Sequence, residues 1–133
     1  MGLDNYASRL EEEIWLTPED CQAFSDANIQ LWSGLFSGDA GSFRGEMYEL
    51  LLLDVTGVSP LKHWIPPEIV HGMYHKLANC EPATLFNQYQ QDFEDLEEEY
   101  RGPSLDELTT SILELRKFFR VCAERNLGLI GTF

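Results

Sequence analysis

Positive charge is scarce in this chain: nine Lys and Arg residues stand against 23 Asp and Glu residues, and the formal net charge is −14. The imbalance lies in residues 1–100, which hold 19 acids and four bases, whereas residues 101–133 hold four acids and five bases. A small protein with this charge repels nucleic acids and anionic lipid surfaces and attracts cationic partners. We therefore expect no direct binding to nucleic acid or membrane, and a basic partner protein instead.

Cysteine is also sparse, and long apolar runs are missing. Cys21, Cys80 and Cys122 have no Cys-x-x-Cys spacing, which argues against a disulfide framework or a zinc knuckle and is typical of reduced thiols. The longest apolar run, Leu50–Leu53, is far too short for a membrane helix of about 20 residues. The first residues lack the basic and apolar regions of a secretory signal. We expect a cytoplasmic protein.

Catalytic motifs are missing from the sequence as well. It contains no phosphate-binding glycine loop, no Gly-x-Ser-x-Gly turn, no dinucleotide fingerprint and no paired metal motif. Carboxylates are so abundant that any acid/base pair among them carries little information. We therefore predict a protein that is not an enzyme, with no catalytic residues and no cofactor.

Helix signals dominate what is present. Thr17, followed by proline and two acids, is a typical helix start, and Ser104 with Glu107 has the spacing of a capping box. Alternation of period two is missing; the short tail 127–133 is the only possible strand, and one strand cannot form a sheet. The sequence therefore predicts an all-α protein, an irregular bundle of five to six helices in a single domain over residues 1–133.

Apolar spacing and Pro or Gly breaks set the expected helix bounds. The third helix is apolar on nearly every side, which is typical of a helix in the middle of a bundle. Trp32 lies in the second helix, whose apolar residues cover two faces, and we expect it in the core rather than in an interface. Gly128 suits the end of the sixth helix. The six predicted helices cover about residues 4–14, 17–36, 42–54, 67–78, 82–100 and 104–127.

The densest charge lies at residues 92–99, where six of eight residues are acidic and the two exceptions fall on the apolar stripe of the predicted fifth helix. Three interpretations compete: a solvated face, a docking face for a basic protein, and a divalent-cation site, although a calcium-loop pattern is missing. The bases of the last helix are an internal alternative partner for this run. The residues that we assign to partner binding here are Asp92, Glu94, Asp95, Glu97, Glu98 and Glu99.

Trp64 is a further candidate for partner binding. It lies in a loop with an adjacent cation, Lys62, and a rigid Pro-Pro pair, and loops with large aromatic side chains often form binding surfaces. The alternative is that Trp64 plugs one end of the bundle.

All three histidines fall within 13 residues, and two of them share one helix face with an acid. His71 and His75 are one turn apart on the predicted fourth helix, and Glu68 is three residues before His71. Two imidazoles and a carboxylate in this spacing are able to chelate a transition metal. The alternative is an exposed polar face, since neither a second Glu-x-x-His motif nor a His-Glu-x-x-His signature is present.

The sequence thus predicts a small acidic regulatory, adaptor or inhibitor protein that binds a basic surface of a partner. One alternative is a metal- or cofactor-binding bundle that uses Glu68, His71 and His75. Another is a nucleic-acid mimic, whose carboxylates imitate phosphates and inhibit a DNA- or RNA-binding protein.

Overall fold

A computed structural model describes residues 4–32, 40–94 and 104–132, and these residues form five helices and one four-stranded antiparallel sheet. The prediction of an all-α bundle is therefore wrong, and the fold is mixed α and β. In chain order the elements are β1 (Asp4–Ser8), α1 (Pro18–Ala27), β2 (Ser42–Arg44), α2 (Gly45–Thr56), β3 (Trp64–Ile65), α3 (Pro67–Ala78), α4 (Pro82–Glu94), α5 (Leu105–Arg125) and β4 (Gly128–Thr132).

The sheet joins the two ends of the chain. Its strand order is β2-β1-β4-β3, and β1 pairs with β4 from Asp4 opposite Thr132 to Ser8 opposite Gly128. The helix predicted at residues 4–14 is wrong because residues 4–8 form a central strand. Their polar members have low strand propensity, but their partners come from distant parts of the chain. Asp4, for example, accepts from Arg44 Nε at 2.9 Å.

One face of the sheet packs against the helices. Ala7, Phe43, Ile65 and Leu129 point to this face and belong to the buried core. The Phe43 ring lies 5.0 Å from that of Phe118 in α5, in an edge-on arrangement that aromatic pairs prefer. The last helix is therefore the central support of the molecule, and it also contacts α1, α3 and α4.

The first half of the chain has shorter helices than the sequence predicts. The α1 start is confirmed: Thr17 Oγ1 accepts from the Asp20 N–H at 3.1 Å, and Pro18 is the first helical residue. The helix ends at Ala27, not near residue 36, because Asn28 adopts a left-handed conformation with φ of 51°. Likewise α2 begins at Gly45 because the three residues before it form a strand.

The second half follows its local signals more closely. The starts of α3 and α4 at Pro67 and Pro82 are confirmed, and Ser104 Oγ caps α5 by accepting from the Glu107 N–H at 3.1 Å. Gly128 does not cap the helix, however. Asn126 does so, with φ of 57°. None of the helices in the described residues combines the length and the apolar character that crossing a membrane requires.

Gly128 is instead the first residue of β4, and its lack of a side chain makes room for Trp64. A Cβ at position 128 would clash with the Trp64 ring and with the Ile65 carbonyl oxygen. The indole therefore lies across β4 and is half-buried. The tail, named above as the only possible strand, does form a strand, and it pairs with both β1 and β3.

Candidate functional site

The second helix carries more apolar surface than the core covers. Its buried residues Tyr48, Leu52 and Thr56 form one stripe. Met47 and Leu50 lie outside the stripe and are 57% and 64% exposed. The prediction that this helix occupies the middle of a bundle is therefore wrong: one face packs inward, and a second apolar face is open.

Trp32 extends this open apolar surface. It is 69% exposed, the highest value among the large apolar side chains of the described residues, so the prediction that it lies in the core is wrong. Its position is fixed through its backbone, because the Trp32 N–H donates to Tyr48 Oη at 3.0 Å and its carbonyl accepts from the Arg44 N–H at 2.5 Å. Burial raises the pKa of Tyr48, so the hydroxyl stays protonated.

Successive side chains in segment 29–32 alternate between buried and exposed positions, and this alternation turns the Trp32 side chain outward. Ile29 and Leu31 are buried, whereas Gln30 and Trp32 are exposed. The Gln30 N–H lies 3.3 Å from Glu114 Oε2 of α5, and this contact ties the segment to the last helix. The tryptophan is thus presented to solvent by an anchored backbone.

These apolar side chains line a groove of about 670 Å³ between α2 and the N-terminal half of α5. Tyr89 of α4 lines it as well, and its hydroxyl donates to Asp54 Oδ2 of α2 at 2.7 Å. The described lining residues are Gln30, Trp32, Met47, Tyr48, Leu50, Leu51, Tyr89, Asp106, Glu107, Leu108, Thr110 and Ser111. This set includes the three most exposed large apolar side chains of the described residues.

The described charged residues of the groove are all acidic. Asp106 and Glu107 are exposed, and they are the only charged residues among those of the described lining. In the sequence, the acidic run at 92–99 falls between two lining residues, Tyr89 and Asp106. The groove therefore combines an apolar surface with a negative rim.

The structure describes only some of the predicted partner-binding residues. For Asp92 and Glu94 the structure describes only the backbone, in the last turns of α4. Asp95, Glu97, Glu98 and Glu99 lie outside the described residues. Trp64 is in β3, on the sheet rather than in the groove.

The bases of the last helix have partners of their own. Arg116 donates to the carbonyl oxygens of Leu77, at 2.6 Å, and of Cys80. The other three pair with acids: Lys117 with Glu114 at 3.1 Å, Arg120 with Glu124 at 2.8 Å, and Arg125 with Asp20 at 2.5 Å.

The residues predicted to bind metal lie on one helix, but they are not arranged as the ligands of a metal ion. Glu68 and His75 are exposed on α3, and His71 is half-buried. Within 4–32, 40–94 and 104–132, no three His, Cys, Asp or Glu side chains are arranged to hold a metal ion. The metal site stays a prediction.

A second group of exposed apolar side chains lies in the loop of residues 9–15. Leu10, Ile14 and Trp15 are 42%, 48% and 48% exposed. The loop closes around the buried hydroxyl of Ser8, which accepts from the N–H groups of Leu10, at 3.1 Å, and Trp15, at 3.0 Å. The Arg9 N–H adds a bond to the Trp15 carbonyl at 2.9 Å. This loop is thus ordered by hydrogen bonds.

The loop is anchored to α1 and α5 through a buried carboxylate. Asp20 is fully buried, and it accepts from Arg9 Nε at 2.6 Å and from Arg125 Nε at 2.5 Å. Burial acts to raise the pKa of Asp20, but the bonds from both guanidinium groups and from Thr17 outweigh it and hold the pKa well below its usual range. We call this cluster the ion triad.

The sequence contains signals for the groove that can be interpreted in a second way. The helix with apolar residues on every side, and Trp32 with apolar residues on two faces of its segment, are compatible with a core or with an interface. The choice depends on how much of that surface the other elements cover, which is not a local property. Comparison with protein-family models, with curated proteins and with solved structures gave no match to this chain.

Proposed function

We propose that this protein is a non-catalytic binding protein, of the adaptor, regulator or inhibitor type, which takes a basic segment of a partner protein into the groove between α2 and α5. One observation carries the proposal. Trp32, Leu50 and Met47, the most exposed large apolar side chains described, line a single groove whose described charged residues are all acidic.

The apolar part of the groove supports binding to protein. Contiguous exposed apolar surface with a polar rim is typical of an interaction site, whereas single exposed apolar residues are ordinary. Tryptophan and methionine are enriched in the cores of such interfaces. The backbone of Trp32 is already held by hydrogen bonds, so binding at this side chain does not have to order the backbone as well.

The charge supports a basic partner. The bases of the last helix are engaged by carbonyl oxygens or by Glu114, Glu124 and Asp20. The exposed rim acids take no part in these contacts and are able to attract a cation. A second copy of this chain is a poor occupant, because two bodies of formal charge −14 repel each other.

The experiment compares two double variants with the wild-type protein as bait for lysate proteins. Met47→Ser with Leu50→Ser removes apolar surface from the groove. Leu53→Ser with Leu113→Ser removes it from exposed positions, 42% and 46% accessible, that are outside the described lining. We expect the groove variant to lose at least about tenfold in partner affinity, and the control variant to keep it.

Salt supplies a second arm of the same experiment. Capture is expected to fall steeply between about 50 mM and about 500 mM salt, because the screening length shortens across this range. Equal capture by both double variants, or capture that is insensitive to salt, contradicts the proposal. Circular dichroism of each variant checks that the fold is retained.

We further propose a cytoplasmic location. The three cysteines are free thiols on separate parts of the fold: Cys21 in α1, Cys80 after α3 and Cys122 in α5. This supports a reducing compartment. Imaging of the protein at its natural abundance tests the assignment.

A further inference from the structure

The described walls of the groove offer few backbone partners to an extended peptide. Most of the described lining comes from α2, α4 and α5, where mid-helix backbone groups are bonded within the helix and only residues of the first turns, such as Met47 and Asp106, have N–H groups without an acceptor inside the helix. Where the described lining is extended, at Trp32, the N–H and the carbonyl are bonded to Tyr48 and Arg44. Among the described lining residues, none belongs to a strand. A peptide bound as a strand would bury N–H and C=O groups without partners, which is costly.

A helical peptide avoids this cost because its backbone groups bond to one another. An amphipathic helix in an apolar groove places side chains at positions i, i+3 or i+4, and i+7 on the floor. The apolar side chains of the groove suit such anchors, and the thioether of Met47 adapts to anchors of different shape. The backbone chemistry of the walls thus favours one secondary structure of the occupant.

The negative charge of the rim favours a bound helix with basic residues beside its apolar stripe. Asp106 and Glu107 lie in the first turn of α5 at the edge of the groove, and no base is among the described lining residues. An occupant with Lys or Arg beside its apolar stripe is attracted to this rim, and an acidic occupant is repelled.

We infer that the occupant of the groove is an amphipathic α-helix of a partner protein, apolar on one face and rich in Lys or Arg at the flanks of that face. The inference rests on the proposed function, since it specifies the partner of the same site. It adds the secondary structure and the charge pattern that the partner segment adopts when bound.

Three synthetic peptides of about 14 residues, or roughly four helical turns, test the inference. The first contains only Leu and Lys, with Leu at helical spacing. The second has the same composition in strict alternation, which favours a strand. The third replaces every Lys of the first with Glu. Calorimetry measures the affinity of each peptide, circular dichroism measures helix formation in the complex, and NMR shifts locate the contact.

We expect the helical Leu/Lys peptide to bind at least about tenfold more tightly than the other two, and to gain helical content on binding. The variant with Met47→Ser and Leu50→Ser is expected to lose this binding, and the variant with Leu53→Ser and Leu113→Ser to keep it. Shifts are expected at the Trp32 indole and not at Trp64.

The other outcomes would each refute the helical occupant, the basic flank or the groove assignment. Equal or tighter binding of the alternating peptide refutes the helical occupant but leaves the proposed function standing. Equal binding of the Leu/Glu peptide refutes the basic flank. If none of the peptides binds, or if the groove variant binds the helical Leu/Lys peptide as well as wild type, both the inference and the groove assignment fail.

Discussion

Exposed apolar side chains of other elements lie near both ends of α5, and they are held in different ways. Near its N-terminus, the groove presents Trp32, Met47 and Leu50. Near its C-terminus, Arg125 enters the ion triad that anchors the loop of residues 9–15. Asp106 and Arg125 are 19 residues apart on one helix, or about 28 Å. The two regions are therefore distinct surfaces on one rigid support.

The difference lies in what fixes each surface. The loop is fixed by directional bonds to Ser8 and Asp20, so its shape depends on single polar atoms. The groove is lined mainly by apolar side chains that the core leaves uncovered, so its surface depends mainly on packing between helices, while hydrogen bonds to Tyr48 and Arg44 hold the backbone of Trp32. We expect single polar substitutions in the loop to damage the loop and the fold, and apolar substitutions in the groove to damage binding.

The largest expected effect is that of Asp20→Asn. The change removes the carboxylate that two arginines share and should lower the free energy of unfolding by about 3 kcal/mol. We choose the lower end of the range because Arg9 and Arg125 remain 32% and 31% exposed. Urea unfolding measures the loss. Asp26→Asn, which alters an exposed carboxylate on the same helix, is the control and should change stability by less than about 0.5 kcal/mol.

Asp20 also gives the protein a defined response to acid. Because its pKa in the folded protein is lowered, its contribution to stability is complete at neutral pH and declines once the pH falls below about 4, the usual Asp value. The variant with Asp20→Asn should lose this part of the pH dependence between about pH 4 and about pH 2. Parallel curves for the wild type and this variant over the same range would contradict the assignment.

A smaller effect is expected from Ser8→Ala. The change leaves the N–H groups of Leu10 and Trp15 without their buried acceptor, at a cost of about 1–3 kcal/mol. Hydrogen exchange should speed up at these two amides, while binding in the groove stays as in wild type. A loss of groove binding in this variant would show that the two regions are coupled.

The smallest effect should come from neutral replacements in the acidic run. Glu97→Gln, Glu98→Gln and Glu99→Gln together should weaken partner binding several-fold at low salt, mainly through slower association. The matched control is Glu11→Gln, Glu12→Gln and Glu13→Gln, which removes the same charge from the exposed loop. If both triple variants weaken binding equally, the overall charge attracts the partner and the acidic run at 92–99 has no special part.

The difference between local and long-range interactions explains how much of the fold could be predicted from the sequence. The starts of α1, α3, α4 and α5 were predictable because Thr17, the prolines at 67 and 82, and Ser104 act within one helical turn. The sheet was not predictable in this way. Its strands have only two to five residues, and its central pair joins residues more than 100 positions apart.

The groove was hidden for a related reason. The surplus of apolar residues on α2 was visible in the sequence, but only the packed structure decides that Leu52 is covered and Leu50 is not. Trp32 was misplaced because its segment was expected to be helical; the left-handed Asn28 converts it to an extended segment with alternating burial. The sequence shows the net negative charge of the protein, but Asp106 and Glu107 of the groove are not among the residues that it predicts for partner binding.

The most direct measurement is photo-crosslinking from the groove itself. A photoreactive phenylalanine analogue in place of Leu50 reports what contacts the groove, and the same analogue in place of Leu53, three residues away on α2 and outside the described lining, reports the background. We expect adducts with a Lys- or Arg-rich partner segment at position 50 that are missing at position 53. Equal adducts at the two positions, or adducts only at position 53, would refute the assignment of the groove as the partner-binding site.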